Sequence, residues 1–512
     1  MDKKIIAYDL GTSGNKASLY DKDGVCLAST FKSYDTLYPG IGMHEQRPSD
    51  WWNSIVASTR QLLEETGVGK NEIECLAISG HSLGVVPINN AGELLRESTP
   101  IWSDSRAGAQ AEAFFQKTDE KSWYMITGNG FPAQLYSAFK ILWYQDNEPD
   151  VFEKIDKVIG TKDYINYKLT GQVKTDYSYA SGCGVYDLKG WGYSDELLQA
   201  SGLDPDIFPE IVPSTEIIGE LTAEASESIG LPRNVKVAAG GVDNSCMALG
   251  ARNIESGRVY LSLGSSAWIA VSADEPVLDA RSRPFVFTHV IPGMFTSAVS
   301  IFSGGNSFRW LRDNFFPDLI EVSAQSGQDV YELMTEMAAN SPIGANKLLF
   351  NPSLAGGSSQ EPNAEIRGAF SGLDLGHTRD DLLRAGMEGI AMNLGAVLQV
   401  LKSFITLSDE MVIVGGGSKS ELWRQIFADV FEMKIIKTNI GEDAGSLGAA
   451  ALAAVGSGLW NDFSKMDQIH KVESTLEPIP ENTAIYRKLD PVYEVLRQAQ
   501  GQIGSSLANL DI

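Results

Sequence analysis

Cysteine is scarce in this chain and scattered: Cys26, Cys75, Cys183 and Cys246 form no metal-ligand pairing and no dense disulfide pattern. They read as reduced, mostly buried thiols of a cytosolic protein. No apolar run reaches the roughly 18 residues of a membrane helix, and the first strand-like segment begins at Lys3, which leaves no room for a signal peptide. The expected address is the cytoplasm. Long basic runs are missing too. With 41 Lys and Arg against 66 Asp and Glu, the formal charge of −25 argues against nucleic acid or an anionic membrane as partner. Any bound phosphate must then be held locally, by backbone N–H groups, a metal or single side chains. There is no Walker A loop, since Lys16 is followed by Ala17 and Lys419 is preceded by Ser418. Gly415-Gly416-Gly417 lacks the spaced third glycine of a dinucleotide loop.

What remains is an ordinary globular composition, 43% hydrophobic and 21% charged, over 512 residues, too many for one core. Two domains are expected, 1–250 and 251–512. Residues 5–10, 16–20 and 25–30 read as a three-stranded meander, turned at Gly11-Thr12-Ser13-Gly14 and Asp21-Lys22-Asp23-Gly24. A helix over 49–65, capped by Ser49, and an apolar strand over 73–79 continue it into a mixed α/β layer. The opening recurs later: residues 258–263 run into Gly264-Ser265-Ser266 and out through 268–271, and strand 411–414 is followed by a glycine turn and helix 420–431. The halves read as diverged copies of one layout. Between them, residues 102–192 are rich in Trp and Tyr, which suit a sugar face or a plain core. The strongest helical spacing covers 379–402, and a last helix is expected from Asp490-Pro491 towards Leu507.

Four segments carry chemistry. Asp9 ends a strand before the Gly11-Thr12-Ser13-Gly14 turn, where backbone N–H groups and hydroxyls can face a phosphate and the carboxylate can hold hydrated Mg2+; Lys16 follows on the return strand. Gly264-Ser265-Ser266 repeats the device without the acid. Gly415-Gly416-Gly417-Ser418-Lys419-Ser420 is a strand-to-helix turn open to a flat nucleobase. Asp243, in Gly240-Gly241-Val242-Asp243-Asn244, is either a turn-capping acid or a carboxylate meeting a substrate hydroxyl in a cleft between the halves.

In this order the segments resemble the FGGY carbohydrate kinases, of the sugar kinase, Hsp70 and actin superfamily. The resemblance extends to His44-Glu45-Gln46 with Trp51-Trp52, to Trp102-Ser103-Asp104-Ser105-Arg106, to Lys140 and Trp143 in 137–143, to Gly368-Ala369-Phe370-Ser371-Gly372-Leu373 with Asp381-Leu382 and Glu388, and to 445–450. It implies an α/β fold of two RNase H-like (actin-like ATPase) domains with a catalytic cleft between them, and ATP with Mg2+ as cofactors. Asp243 would be the general base and Asp9 would hold the metal through water. Gly11, Thr12, Ser13, Lys16, Gly264, Ser265 and Ser266 would face phosphate, and Gly416, Gly417 and Ser420 the adenosine. His81, Ser82, Leu83, Trp102, Asp104, Arg106, Asp243 and Asn244 would face the sugar. The expected substrate is a small ketose such as the ketopentose xylulose, with a polyol (glycerol, erythritol) or a sugar acid (gluconate) as alternatives. A non-catalytic sugar- or nucleotide-binding relative is the rival reading, an actin- or chaperone-type ATPase a remote one, and a homodimer is left open.

Three departures stand out. The turn Gly80-His81-Ser82-Leu83-Gly84 carries Leu83 where xylulose kinases resemble G-Q-M-H-G, with a histidine two places earlier. The second family signature is interrupted at Gly386. The stretch 352–362 lacks the relatives' Gly-Glu-Arg, so the ordering that arginine gives must come from elsewhere.

Overall fold

The computed structural model describes residues 3–358 and 360–510. Its frame is two seven-stranded sheets that share the order of six strands, one drawn from residues 4–242 and the other from 259–476. In the first, Lys4–Leu10 pairs antiparallel with Gly14–Asp21, which pairs with Cys26–Ser33. On its other side Lys4–Leu10 runs parallel to Ile73–Gly80, which is parallel to Lys236–Ala238, and Ile217–Glu220 closes the edge antiparallel. In the second, Val259–Leu263, Ala267–Ala273 and Phe295–Ile301 form the meander, with Phe285–Thr288 outside it. Glu410–Val414, Lys434–Thr438 and the antiparallel edge Val472–Leu476 complete that sheet. The halves are copies of one RNase H-like layout.

The burial patterns follow from position. Lys4–Leu10 is buried at every residue but Asp9, as a central strand covered on both faces must be. Cys26–Ser33, at the edge, buries only Thr30. The helix Ala444–Ser457 is almost entirely Ala, Gly and Leu and lies against the first-half helix Asp243–Gly250. Small residues permit that approach: a Cβ on Gly448 would sit 1.9 Å from the Cys246 carbonyl oxygen. The same helix reaches the first sheet, where Ser446 Oγ meets the Tyr20 hydroxyl at 2.8 Å.

The aromatic middle segment builds its own core, in which Trp123, Tyr136, Phe139, Tyr144 and Tyr186 are sealed from solvent. Cys75, Cys183 and Cys246 are buried free thiols and Cys26 is exposed. No helix among the described residues is long and apolar enough to cross a membrane.

Two helix starts differ from expectation. The first long helix is Pro48–Thr66, with Pro48 at its first position and Arg47, not Ser49, as N-cap. The last is Pro480–Ala508 and carries Pro491 inside it rather than at its start. Its true beginning is held by Asp429, whose carboxylate accepts from Ile479 N and Asn482 Nδ2, both at 2.8 Å. Pro480 again fits the first turn, where its missing N–H costs nothing. Pro491 lies on the solvent side, which tolerates the lost bond.

Candidate active site

The carboxyl ends of the parallel strands in the first sheet bring together residues far apart in sequence. Asp9 pairs in register with Ser79, and Gly241, on the two-residue strand Gly241–Val242, pairs with Ser79 from the other side. Crevices at such strand ends are where open α/β sheets bind ligands. The Ser79 hydroxyl donates to Asp9 Oδ1 at 3.0 Å. Burial pushes the Asp9 pKa above the ordinary carboxylate value, Ser79 and Lys16 oppose it, and the charge of Asp443 adds to it.

Asp243 opens the helix Asp243–Gly250, and its Oδ1 accepts from Asn244 N at 2.8 Å. A helix N-terminus favours a carboxylate by about 0.3–1 kcal/mol. Desolvation wins over it: burial, then the negative Asp9, raise the Asp243 pKa to about 7. A carboxylate poised there is matched to general-base work. Gly240 is required by geometry, since its φ is +73° and a Cβ would stand 2.2 Å from the Ile78 carbonyl oxygen.

The first hairpin is braced from below. Gln46 Nε2 donates to Thr12 O at 2.7 Å, and Trp102 Nε1 donates to Thr12 Oγ1 at 2.9 Å. Ser13 is exposed at the tip. Lys16 forms an ion pair with Asp443, at the threshold of the Ala444 helix. Asp104 and Arg106 hold each other: Asp104 accepts from Arg106 Nε at 2.9 Å and Nη2 at 2.7 Å, and from His44 N at 2.7 Å. Arg106 Nη2 also reaches Glu45 at 2.7 Å, and its guanidinium lies over Trp143. The 102–106 run is thus a buried brace against the His44-Glu45-Gln46 segment.

The turn after Ile73–Gly80 is closed in the same way. Leu83 takes a left-handed φ of 60° and packs into the aromatic core. Ser82 is buried beside it. His81 is 1% exposed, stands edge-on to Trp51 at 5.7 Å, and neither imidazole nitrogen has a hydrogen-bond partner among the described residues. Burial lowers its pKa to about 4, so the ring is neutral near pH 7. Lys140, fully buried, donates to Leu83 O at 3.1 Å and Ile101 O at 2.6 Å, tying the 80–84 turn to the start of the 102–106 run. Asn244 is half-buried next to Asp243.

In the second half a cavity of about 560 Å³ lies between Gly264-Ser265 on one side and Gly416, Gly417 and Ser420 on the other. Gly417 belongs there because a Cβ would collide with Leu263 at 2.2 Å. Ser420 caps the helix Glu421–Phe431 by accepting from Trp423 N at 3.2 Å. Ser266 completes the exposed hairpin tip. Sequence reasoning missed the floor: Gly305 N donates to Gly264 O and Asn306 N to Ser265 O, both at 2.9 Å, from the first turn of Gly305–Phe315. Arg309, Tyr331 and Glu332 also line the cavity. Ser303-Gly304-Gly305-Asn306 after a strand was the available signal, a near repeat of Gly240-Gly241-Val242-Asp243-Asn244.

No group of three or more His, Cys, Asp or Glu side chains among the described residues could cage a metal. A hydrated Mg2+ needs no such cage, since it keeps most of its waters and takes one or two carboxylates plus substrate phosphate. Asp9, half-buried with Asp443 close by, fits such a role.

Two actin-like halves, a carboxylate at the strand ends and two glycine hairpins define a phosphotransferase of the actin-like ATPase class. Residues 4–250 match the N-terminal domain model of the FGGY family of carbohydrate kinases, and 259–457 the C-terminal one. The xylulose kinase of Bacillus subtilis (strain 168) is 30% identical over 96% of both chains. The crystal structure of gluconate kinase from Lactobacillus acidophilus superposes with a TM-score of 0.89, at 26% identity, over 99% of this chain and 100% of that one. Ligand-bound xylulose kinase from the same organism gives 0.87 at 27% identity, over 97% and 98%. The chain belongs to the FGGY family of carbohydrate kinases, enzymes that phosphorylate sugars from ATP.

Proposed function

We propose that the protein transfers the γ-phosphoryl group of ATP to a hydroxyl of a neutral ketose, a ketopentose such as xylulose, with Asp243 as general base. The observation that carries this reading is the Asp243 carboxylate, raised to about 7 at the strand ends beside Asp9 and the first hairpin. The unit 1–250 would hold sugar and base, and 251–512 the nucleotide, with adenosine in the cavity at Gly416, Gly417 and Ser420. Thr12, Ser13, Ser265 and Ser266 would meet phosphate oxygens through hydroxyls and backbone N–H groups. Mg2+, held by Asp9 through water, would supply charge neutralisation on the phosphates. As the sugar oxygen attacks, Asp243 takes its proton; alignment and charge stabilisation supply the rest. A reaction that consumes ATP fits the cytoplasm as its compartment.

A neutral sugar is favoured over a sugar acid by the state of the nearby cations. Arg106 is spent on Asp104 and Glu45, and Lys140 on two carbonyl oxygens. A substrate carboxylate needs a paired charge when buried, and neither cation is released to give one. The neutral His81 ring, with both nitrogens unsatisfied among the described residues, suits two hydroxyls, one donating to the bare nitrogen and another accepting from the N–H. ADP release measured over xylulose, ribulose, glycerol, erythritol and gluconate tests this: turnover should be highest with a ketopentose. Gluconate as the best acceptor would refute the neutral-sugar assignment.

A further inference from the structure

Behind the Gly240-Gly241-Val242-Asp243-Asn244 turn lies a fully buried charge cluster that none of the roles above uses. Lys162, Asp163 and Asp176 are each 1% exposed or less. Lys162 Nζ reaches Asp163 Oδ1 at 2.5 Å and Asp176 Oδ1 at 3.0 Å, and donates to Ala239 O at 3.2 Å. Asn166 Nδ2 donates to the same carbonyl at 2.8 Å. Burial alone would discharge Lys162, but the two carboxylates outweigh it and keep the ammonium charged. Asp176 Oδ2 accepts from Ser178 Oγ at 2.5 Å, from Ser178 N at 2.9 Å and from Ser214 Oγ at 2.7 Å. Ser214 O in turn accepts from Gly240 N at 3.1 Å. Ser178 Oγ accepts from Val242 N at 2.9 Å.

These bonds have a direction. Ser178 Oγ donates to Asp176, which Lys162 holds in place, so the serine lone pair points at Val242 N–H. Val242 is the N-cap residue of the Asp243 helix. The carbonyl of Ala239 and the N–H groups of Gly240 and Val242 are therefore all tied to one polarised cluster, directly or through Ser214. A Cβ on Gly241 would meet both Cys246 Sγ at 3.0 Å and Ser178 Oγ at 3.2 Å, which places the cluster against the base of that helix.

We propose that Asp176 and Ser178, locked by Lys162, are positioning residues that fix the backbone before Asp243 and so aim its carboxylate at the acceptor hydroxyl. This rests on Asp243 being the base. An error of about 1 Å in a reacting group costs on the order of 100-fold, so a hydroxyl remote from substrate can govern turnover. Ser178→Ala removes the acceptor for Val242 N–H while sparing every contact made by the sugar and nucleotide loops.

The test is steady-state kinetics of Ser178→Ala, with Asp176→Asn as a second variant that reverses the hydrogen-bond polarity and Asp243→Ala as reference. The expected result is a kcat lower by roughly 10- to 100-fold with both KM values within about twofold, and a pH profile rising at the parent's midpoint. Should Asp176→Asn not fold, Ser178→Ala decides. A Ser178→Ala kcat within twofold of the parent, while Asp243→Ala is silent, would overturn the positioning role and leave the base intact. A drop in kcat matched by rising KM values and a lower unfolding midpoint would make the cluster merely structural. Turnover retained by Asp243→Ala would remove the base and this proposal together.

Discussion

In the proposed role, Asp243 works because it is badly solvated. Its pKa of about 7, against an ordinary 3.8, means the fold prefers the protonated acid while catalysis needs the carboxylate. kcat/KM should therefore rise with pH through about 7 and fall tenfold per unit below it, measured with a neutral sugar so that the substrate does not titrate. Asp243→Asn should retain nucleotide binding and lose about 10²- to 10⁴-fold in turnover. The stability consequence has the opposite sign. A raised folded pKa contributes stability that is present below pH 4 and lost as pH rises through 7. Asp243→Asn should then melt higher than the parent at pH 8 and equally at pH 4; an unchanged midpoint at both would show that the carboxylate is not strained by burial. Asp9 and Asp243 were legible in the sequence because each ends an apolar strand at a glycine turn. The fate of Asp104 and Arg106 was not: a W-x-D-x-R run reads as substrate-facing until Glu45, His44 and Trp143 are seen to consume its polar atoms.

The missing Gly-Glu-Arg of the 352–362 stretch is made good by the last helix. Arg497 Nε and Nη2 reach Glu361 Oε2 at 3.3 and 3.2 Å, and Nη2 donates to Gln360 O at 2.8 Å. Asn393 Nδ2 donates to Glu361 Oε1 at 2.8 Å. Ser359, in the same stretch, lies outside the described residues. The stretch is joined to the floor of the second-half cavity through Ser307, the residue after Asn306, whose hydroxyl donates to Pro352 O at 2.7 Å. Arg497→Ala leaves Glu361 buried without its cation, a loss of about 3–5 kcal/mol. It should lower the denaturant midpoint and raise the KM for ATP more than that for the sugar; an equal rise in both would sever the stretch from the nucleotide site. No local pattern could have announced this pair, because 136 residues separate its members. Gly386 has a similar explanation: a Cβ there would stand 2.6 Å from Leu311 Cδ1, so the glycine lets the helix beneath the second hairpin pack close.

The two sheets are topological copies, and the helices that follow equivalent strands, Asp243–Gly250 and Ala444–Ser457, meet where the halves join. Duplication was readable from two meanders with glycine turns. The helix crossing was not, because Ala and Gly carry too little side chain to mark a buried face by periodicity. Gly448→Ala would press a methyl group onto the Cys246 carbonyl and move the two helices apart. It should cost at least 1–3 kcal/mol by overpacking and depress kcat, since Asp9 and Asp243 both sit beside this joint; wild-type kcat and stability would show that the crossing can relax.

The claim on which all of this depends is that Asp243 deprotonates a neutral sugar hydroxyl for attack on ATP. Its most direct test is ADP release by the parent and by Asp243→Ala across ketopentoses, polyols and gluconate, with nucleotide binding measured on both. The account predicts a ketopentose as best acceptor for the parent, no measurable turnover for Asp243→Ala, and equal nucleotide affinity. Turnover by Asp243→Ala comparable to the parent, or nucleotide binding without phosphorylation of any acceptor by the parent, would contradict it.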